Sequence, residues 1–206
     1  MRFSIFLAVI AITSITGCAS SILPKPVSPP ITYSLATIAP QEVTLAKPAP
    51  QKSPTLIVGS PRAAGGFNTS YIVYTRKLHE VAYFSQSQWV DTPSQMLMPM
   101  IADAIQKSGA FKAVLSTPTG ALSQFRLDTE LVQLQHSFLT NPSQVHLTLR
   151  AVLIDTATRN VVARNEFHAA VPTSTEDAYG GVIAAQKAVQ TVLKDLASFC
   201  ADSVAR

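Results

Sequence analysis

The sequence predicts an α/β fold of two layers, α+β-like in arrangement: one mixed, largely antiparallel sheet with two long helices packed on one face. Three observations carry this. Residues 124–171 hold three consecutive stretches of strand-like alternation joined by short turn sequences, an antiparallel meander. Two other stretches, 92–109 and 175–202, repeat apolar residues at steps of three and four. Shorter apolar runs ended by Gly and Pro lie before and between them.

From the N-terminal side, ITYSLAT (31–37) is a short strand candidate, and the Pro-rich 39–54 reads as a long loop. TLIVGSP (55–61) is a compact apolar strand stopped by Gly59 and Pro61, followed by a Gly-rich flexible turn. YIVYTRK and VAYFSQS form a hairpin with Leu78, His79 and Glu80 near its tip. In the first helix Thr92 is placed to cap, Pro93 suits the first turn and Gly109 the left-handed terminating position. Met96, Leu97, Met100, Ile101, Ala104 and Ile105 share one face. Pro99 removes a backbone donor, so a kink is expected there, or a helix whose regular part starts near Pro99.

FKAVLS (111–116) is the next strand. In 124–139 the residues Phe125, Leu127, Thr129, Leu131 and Gln133 fall on one face; in 144–155 Val145, Leu147, Leu149, Ala151 and Leu153 form an apolar row opposed by His146, Thr148 and Arg150. The third strand is 161–171. In the last helix Ala178, Val182, Ala185, Val189, Val192, Leu196 and Phe199 form a stripe with Cys200 beside it, and Gly180-Gly181 weakens its first turn by roughly 1 kcal/mol per glycine.

The N-terminus has its own logic. Arg2 precedes an apolar run from Phe3 to Ile12, about half the roughly 20 residues a spanning helix needs. The tetrapeptide Ile15-Thr16-Gly17-Cys18 closing this run resembles the bacterial lipobox. That resemblance implies a signal peptide over 1–17, removed before Cys18, and a covalent lipid on Cys18 as the one attached group, with no other cofactor. Two or three acyl chains anchor stably where one does not. Ala19 and Ser20 follow; in enterobacterial lipoproteins an Asp directly after the Cys favours the inner membrane, so its absence points to the outer membrane.

Residues 18–30 form the lipidated tether, with Pro24, Pro26, Pro29 and Pro30 keeping it extended, and at about 3.1 Å per residue it reaches at most roughly 40 Å. Residues 31–206 then make a single domain. The formal charge of +4, which loses Arg2 with the leader, is not gathered into a basic run and excludes nucleic acid as the partner. Of the two cysteines one is acylated, so no intramolecular disulfide forms and the fold stands on its core.

The segment from Tyr71 to Val114 carries a wider pattern: Tyr74 and Arg76, Tyr83 and Phe84 in an aromatic hairpin, Trp89 just before the Pro93 helix, then Gly109, Phe111 and Val114. It resembles the ABC-type transport auxiliary lipoprotein family of the paraquat-inducible protein C type. The resemblance implies a periplasm-facing, outer-membrane lipoprotein beside an ABC permease, its ATPase and a Mce-domain protein that carries lipids between membranes. It also allows a homo-oligomeric ring. Such a protein docks and catalyses nothing.

The residues agree with that silence. His79, His136, His146 and His168 lie far apart without metal-ligand spacing, and no GxSxG, P-loop, GxGxxG or CxxC occurs. Asp128 and Glu130 have the spacing of a carboxylate pair or of a solvated strand face. Trp89 reads either as core under the first helix or as an exposed partner contact; Tyr83 and Phe84 alternate, so one of them faces away from what the other packs on. The Met96-Leu97-Met98 cluster fits core better than a lipid groove. Two other readings stay open: a lipid or small ligand held in a pocket between sheet and helices, and an envelope-stability lipoprotein.

Overall fold

The computed structural model describes residues 28–36 and 53–205. The expected signal peptide, Cys18, the expected tether as far as residue 27 and most of the Pro-rich stretch 39–54 lie outside the described residues.

The meander is the foundation. Strands β7 (Phe125–Ser137), β8 (Gln144–Asp155) and β9 (Val161–Pro172) pair antiparallel in sequence order. The apolar row of β8 is buried from end to end: Val145, Leu147, Leu149, Ala151 and Leu153 are each at most 2% exposed. Helix α2 (Ala178–Val204) lies over β8 and β9, with Val182, Ala185, Val189, Val192 and Leu196 in the core. Cys200 is buried among them, and burial pushes its thiol up to about 12, which keeps it protonated.

The other edge of β7 is divided end to end among three short parallel strands. β2 (Thr55–Val58) pairs with Phe125–Leu127, β3 (Arg62–Ala63) with Glu130 and Leu131, and β4 (Tyr71–Thr75) with His136 and Ser137. Beyond β2 lies β6 (Ala113–Ser116); beyond β4 lie β5 (Ala82–Trp89) and then β1 (Ile31–Tyr33), completing a nine-stranded sheet. The sheet is mixed as expected. Its long pairings are antiparallel, whereas β1–β5, β2–β6 and every pairing on that divided edge of β7 are parallel. Helix α1 (Pro93–Lys107) covers β2, β6 and β7 and touches α2, so both helices share one face.

Four local expectations are corrected. The Gly-rich turn contains β3, whose two residues are too few to show a period. Gln133 leaves the core face: a bulge between Leu131 and Gln133 makes Val132 the extra residue, and on the core face beyond it Leu134 and His136 are buried. Thr92 occupies the N-cap position without a side-chain cap bond. Helix α1 is continuous from Pro93 through Pro99, so its regular part does not begin there; Pro99 and Gln95, whose carbonyl loses its partner, are both exposed, where solvent can satisfy that carbonyl.

The start of α2 is built more tightly than its glycines suggest. The Asp177 side chain accepts the Gly180 N–H at 2.7 Å, and Thr175 donates to the same carboxylate at 2.8 Å. A Cβ on Gly180 would run into the Thr175 carbonyl, and one on Gly181 would sit 2.6 Å from His136 Nδ1. His136 is 2% exposed and its Nε2 lies 2.8 Å from Ser143 Oγ, which is 2.7 Å from Thr173 Oγ1. Thr173 donates to the Ser143 carbonyl, so Ser143 donates to Thr173 and accepts from His136 Nε2–H. Nδ1 is left as an unpartnered acceptor against Gly181. Glu176 accepts the Ser143 N–H at 2.9 Å. The cluster ties the β7–β8 turn and the end of β9 to the head of α2.

Burial pushes the His136 pKa down to about 4, against the opposing pull of Glu176 and Asp177. Below pH 6.5 the unfolded chain therefore binds a proton that the folded chain refuses, and stability present at pH 7 falls as the pH drops toward 4.

Two measurements check this corner. Helix propensity alone makes Gly181→Ala stabilising by about 1 kcal/mol, yet the contact with His136 makes it destabilising by about 1–2 kcal/mol in urea unfolding, and the loss should shrink in a His136→Ala background. In pH-dependent unfolding the wild type should lose up to about 3 kcal/mol between pH 6.5 and 4, a component absent from His136→Gln. Glu176 and Asp177, held below their usual range by N–H bonds from Ser143 and Gly180, lose their contributions only below pH 4.5, so the upper part of the window isolates His136.

Candidate functional site

Of the residues singled out from the sequence, Cys18 lies outside the described residues. Trp89 is 3% exposed and is core: its N–H donates to the Ser70 carbonyl, and its ring lines a cavity of about 10 Å³ with Ile72, Leu134, Gly181 and Ala185. It is therefore withdrawn as a partner contact. The reason is local: β5 ends at Trp89, its side chain on the helix-covered face opposite Tyr33 of β1.

Tyr83 and Phe84 divide as alternation requires. Phe84 is half-buried, 4.6 Å from the Tyr74 ring and 6.4 Å from that of Phe138, and packs on the core. Tyr83 is 46% exposed and stands 5.4 Å from the ring of Tyr71, which is also exposed. The pair is an aromatic patch on the free surface.

The described residues contain no convergent chemistry. His136 and Ser143 stand at the separation of a base and a nucleophile, but both are sealed and no carboxylate orients His136 Nδ1. No group of three or more His, Cys, Asp or Glu among the described residues is placed to hold a metal. Asp128 and Glu130 are committed elsewhere. Arg126 Nε donates to Asp128 at 2.8 Å, and Arg150 bridges Glu130 and Glu166 at 2.8 Å each across three strands in direct register. These carboxylates raise the Arg150 pKa, Glu166 chiefly, through its hydrogen bond. His168 completes the row, 3.2 Å from Glu166 and 3.1 Å from Thr148. This is the solvated face of the sheet.

What remains is shape at the two ends of β7. At its C-terminal end the β4–β5 tip (residues 76–81) and the β7–β8 turn (138–143) lie side by side, because β4 and β7 run parallel and finish together. A depression of about 350 Å³ opens there, with Gln133, Gln135 and His146 beneath Leu78, Val81 and Leu139. Leu78 is 74% exposed, Val81 57% and Leu139 45%. Arg76 rests over the Phe138 ring, 4.4 Å from its centroid, and braces one loop on the other. Sequence reading placed Leu78 at a hairpin tip but could not bring Leu139 to it, since the pairing that joins them spans about sixty residues.

Comparison with known proteins follows this architecture. The family model of the ABC-type transport auxiliary lipoprotein component matches residues 33–197. Protein XCC0632 from Xanthomonas campestris, assigned to the family DUF330, is similar in structure at a TM-score of 0.68 and 23% identity, over 77% of this chain and 90% of that one. A second crystal structure, of an uncharacterized protein, reaches 0.63 at 11% identity, over 84% of this chain and 99% of that one. At such identities the likeness speaks to the fold. No curated protein matches the sequence. With the model spanning most of its length, the chain belongs to the ABC-type transport auxiliary lipoprotein component family.

Proposed function

We propose that the chain is the outer-membrane-anchored docking subunit of an ABC-type lipid transport system. On this reading residues 1–17 are removed, Cys18 carries the acyl chains, residues 18–30 are the tether, and the domain 31–206 meets the transport complex from the periplasmic side. The observation that carries it is the match to a transport auxiliary lipoprotein family over 33–197, directly behind a lipobox at Ile15–Cys18. The partners are the ABC permease, its ATPase and a Mce-domain protein bridging the envelope, and further copies of the chain can share the same ring. The work is contact rather than turnover, a reading supported by Asp128, Glu130 and Glu166 being tied in ion pairs and His136 being buried.

Direct storage of a lipid between sheet and helices is the weaker alternative. A cavity between sheet and helix beside Trp89 has a volume of about 10 Å³, enough for no more than one water, and the depression of about 340 Å³ lined by Leu35, Met100, Ala104, Gln186 and Leu193 lies between the two helices rather than under them. Tyr83, its ring beside that of Tyr71 on the exposed face of β5, is the side chain best placed for a partner contact.

Fractionation and cross-linking test the reading. The wild type should remain with membranes through high-salt washing, and Cys18→Ser should leave them. A photo-reactive residue at position 83 should capture a permease or Mce-domain chain, and a Trp89 probe should capture none. Retention of Cys18→Ser on membranes with unimpaired lipid transport would remove the anchor from the account.

A further inference from the structure

We propose that the end of the domain carrying Leu78, Val81 and Leu139 seats directly on the lipid surface, these three side chains lying at the boundary between headgroups and acyl chains. This rests on acylation of Cys18 and goes beyond it, since a tether alone leaves the domain free to tumble.

The path of the chain supplies the argument. β1 runs parallel to β5 with Ile31 opposite Ser87, so the residues before Ile31 point back toward Ala82 and the β4–β5 tip. Ser28, Pro29 and Pro30 are exposed. From Ile31 back to Ser28 the chain covers about 10 Å of the roughly 17 Å between the levels of Ser87 and Ala82. Residues 18–27 then span at most about 30 Å, so the acyl chains enter the bilayer on the side of the molecule where the two loops end.

Those loops are suited to it. Leu78, Val81 and Leu139 rim one depression, and they protrude where no element of the domain covers them. They are held rather than loose: Arg76 clamps Phe138, and the His136–Ser143–Thr173 cluster with Glu176 fixes the β7–β8 turn from below. The charges at this end have both signs. Arg76 and Lys77 stand with Glu80, Glu176 and Asp177, of which Glu176 is engaged by Ser143 and Asp177 by Gly180. Apolar contact, not attraction to anionic lipid, is therefore the binding term. Exposure alone does not decide the matter, because Leu122 and Val161 at the opposite end of β7 are exposed too; the direction of the tether does.

The test uses the full-length lipidated protein in vesicles of phosphatidylethanolamine and phosphatidylglycerol that contain lipids nitroxide-labelled in the acyl chain. Cys18 is acylated and Cys200 buried, so Leu78→Cys or Leu122→Cys supplies the one reactive thiol for an environment-sensitive dye. The dye at position 78 should be quenched roughly threefold more than that at 122, with little change as phosphatidylglycerol or salt is varied. Equal quenching, or stronger quenching at 122, in protein that floats with the vesicles overturns the orientation and leaves the anchor standing. Protein that does not float overturns the anchor and this inference with it. A dye at 78 that stays in water on vesicles and is shielded only when permease complex is added assigns the loops to a protein and overturns the lipid contact.

Discussion

Everything in this fold depends on β7 being paired along both edges. Its thirteen residues receive β8 from end to end on one side, with the single bulge at Val132, and on the other three short strands that would have no stability apart from it. A strand of two residues such as β3 buries almost nothing. It persists because β7 offers unpaired N–H and C=O groups between the places taken by β2 and β4, and leaving buried backbone groups unpaired costs on the order of 1–3 kcal/mol each. The divided edge also explains why both ends of the sheet flare into loops. β2 with β6 and β4 with β5 and β1 are separate extensions from opposite ends of one spine.

The bulge at Val132 is the second consequence. Without it, the strict alternation of β7 would put Gln133 under the helices and turn Leu134 and His136 outward. With it, the C-terminal third of β7 changes phase, Leu134 joins the core, and His136 comes beneath α2 at the one place where a glycine lets the helix approach. The two features require each other: a side chain at position 181 would exclude the imidazole, and a β7 in unbroken register would leave Gly181 facing the wrong side of the strand. The price is a buried ring with one unpartnered nitrogen, offset by the ties it makes among the β7–β8 turn, β9 and α2.

Much of this was legible in the sequence, and the failures have physical causes. The apolar row of β8, the stripe of α2 and the hairpin around His79 follow from periods that hold over many residues, and they were found where expected. β3, the bulge and the close approach at Gly181 were not, because each depends on one or two residues whose meaning is set by a partner far along the chain. Gly180-Gly181 looked like a weakness under helix propensity, when the contacts of Thr175 and His136 make it a requirement. Trp89 was ambiguous for a related reason. Which face an aromatic takes at a strand end is set by the pleat phase, and the irregular register between β4 and β5 hides that phase in the sequence.

The candidate surface follows the same logic, and it links the fold to its work. A lipid-anchored domain meets a membrane and a partner at once, so the two contacts must occupy different parts of its surface. The spine supplies that separation: residues paired near Phe125 and near Ser137 lie some twelve residues apart, about 40 Å along an extended strand. On the proposed orientation, with the tether leaving toward the Ser137 end, the Leu122 and Val161 end would project away from the membrane, and the patch of Tyr71 and Tyr83 lies on the flank between. On the proposed reading the spine, paired along both edges, serves as a rigid spacer. It would fix height and orientation above a bilayer, which is what a transport complex crossing the envelope needs from an auxiliary subunit.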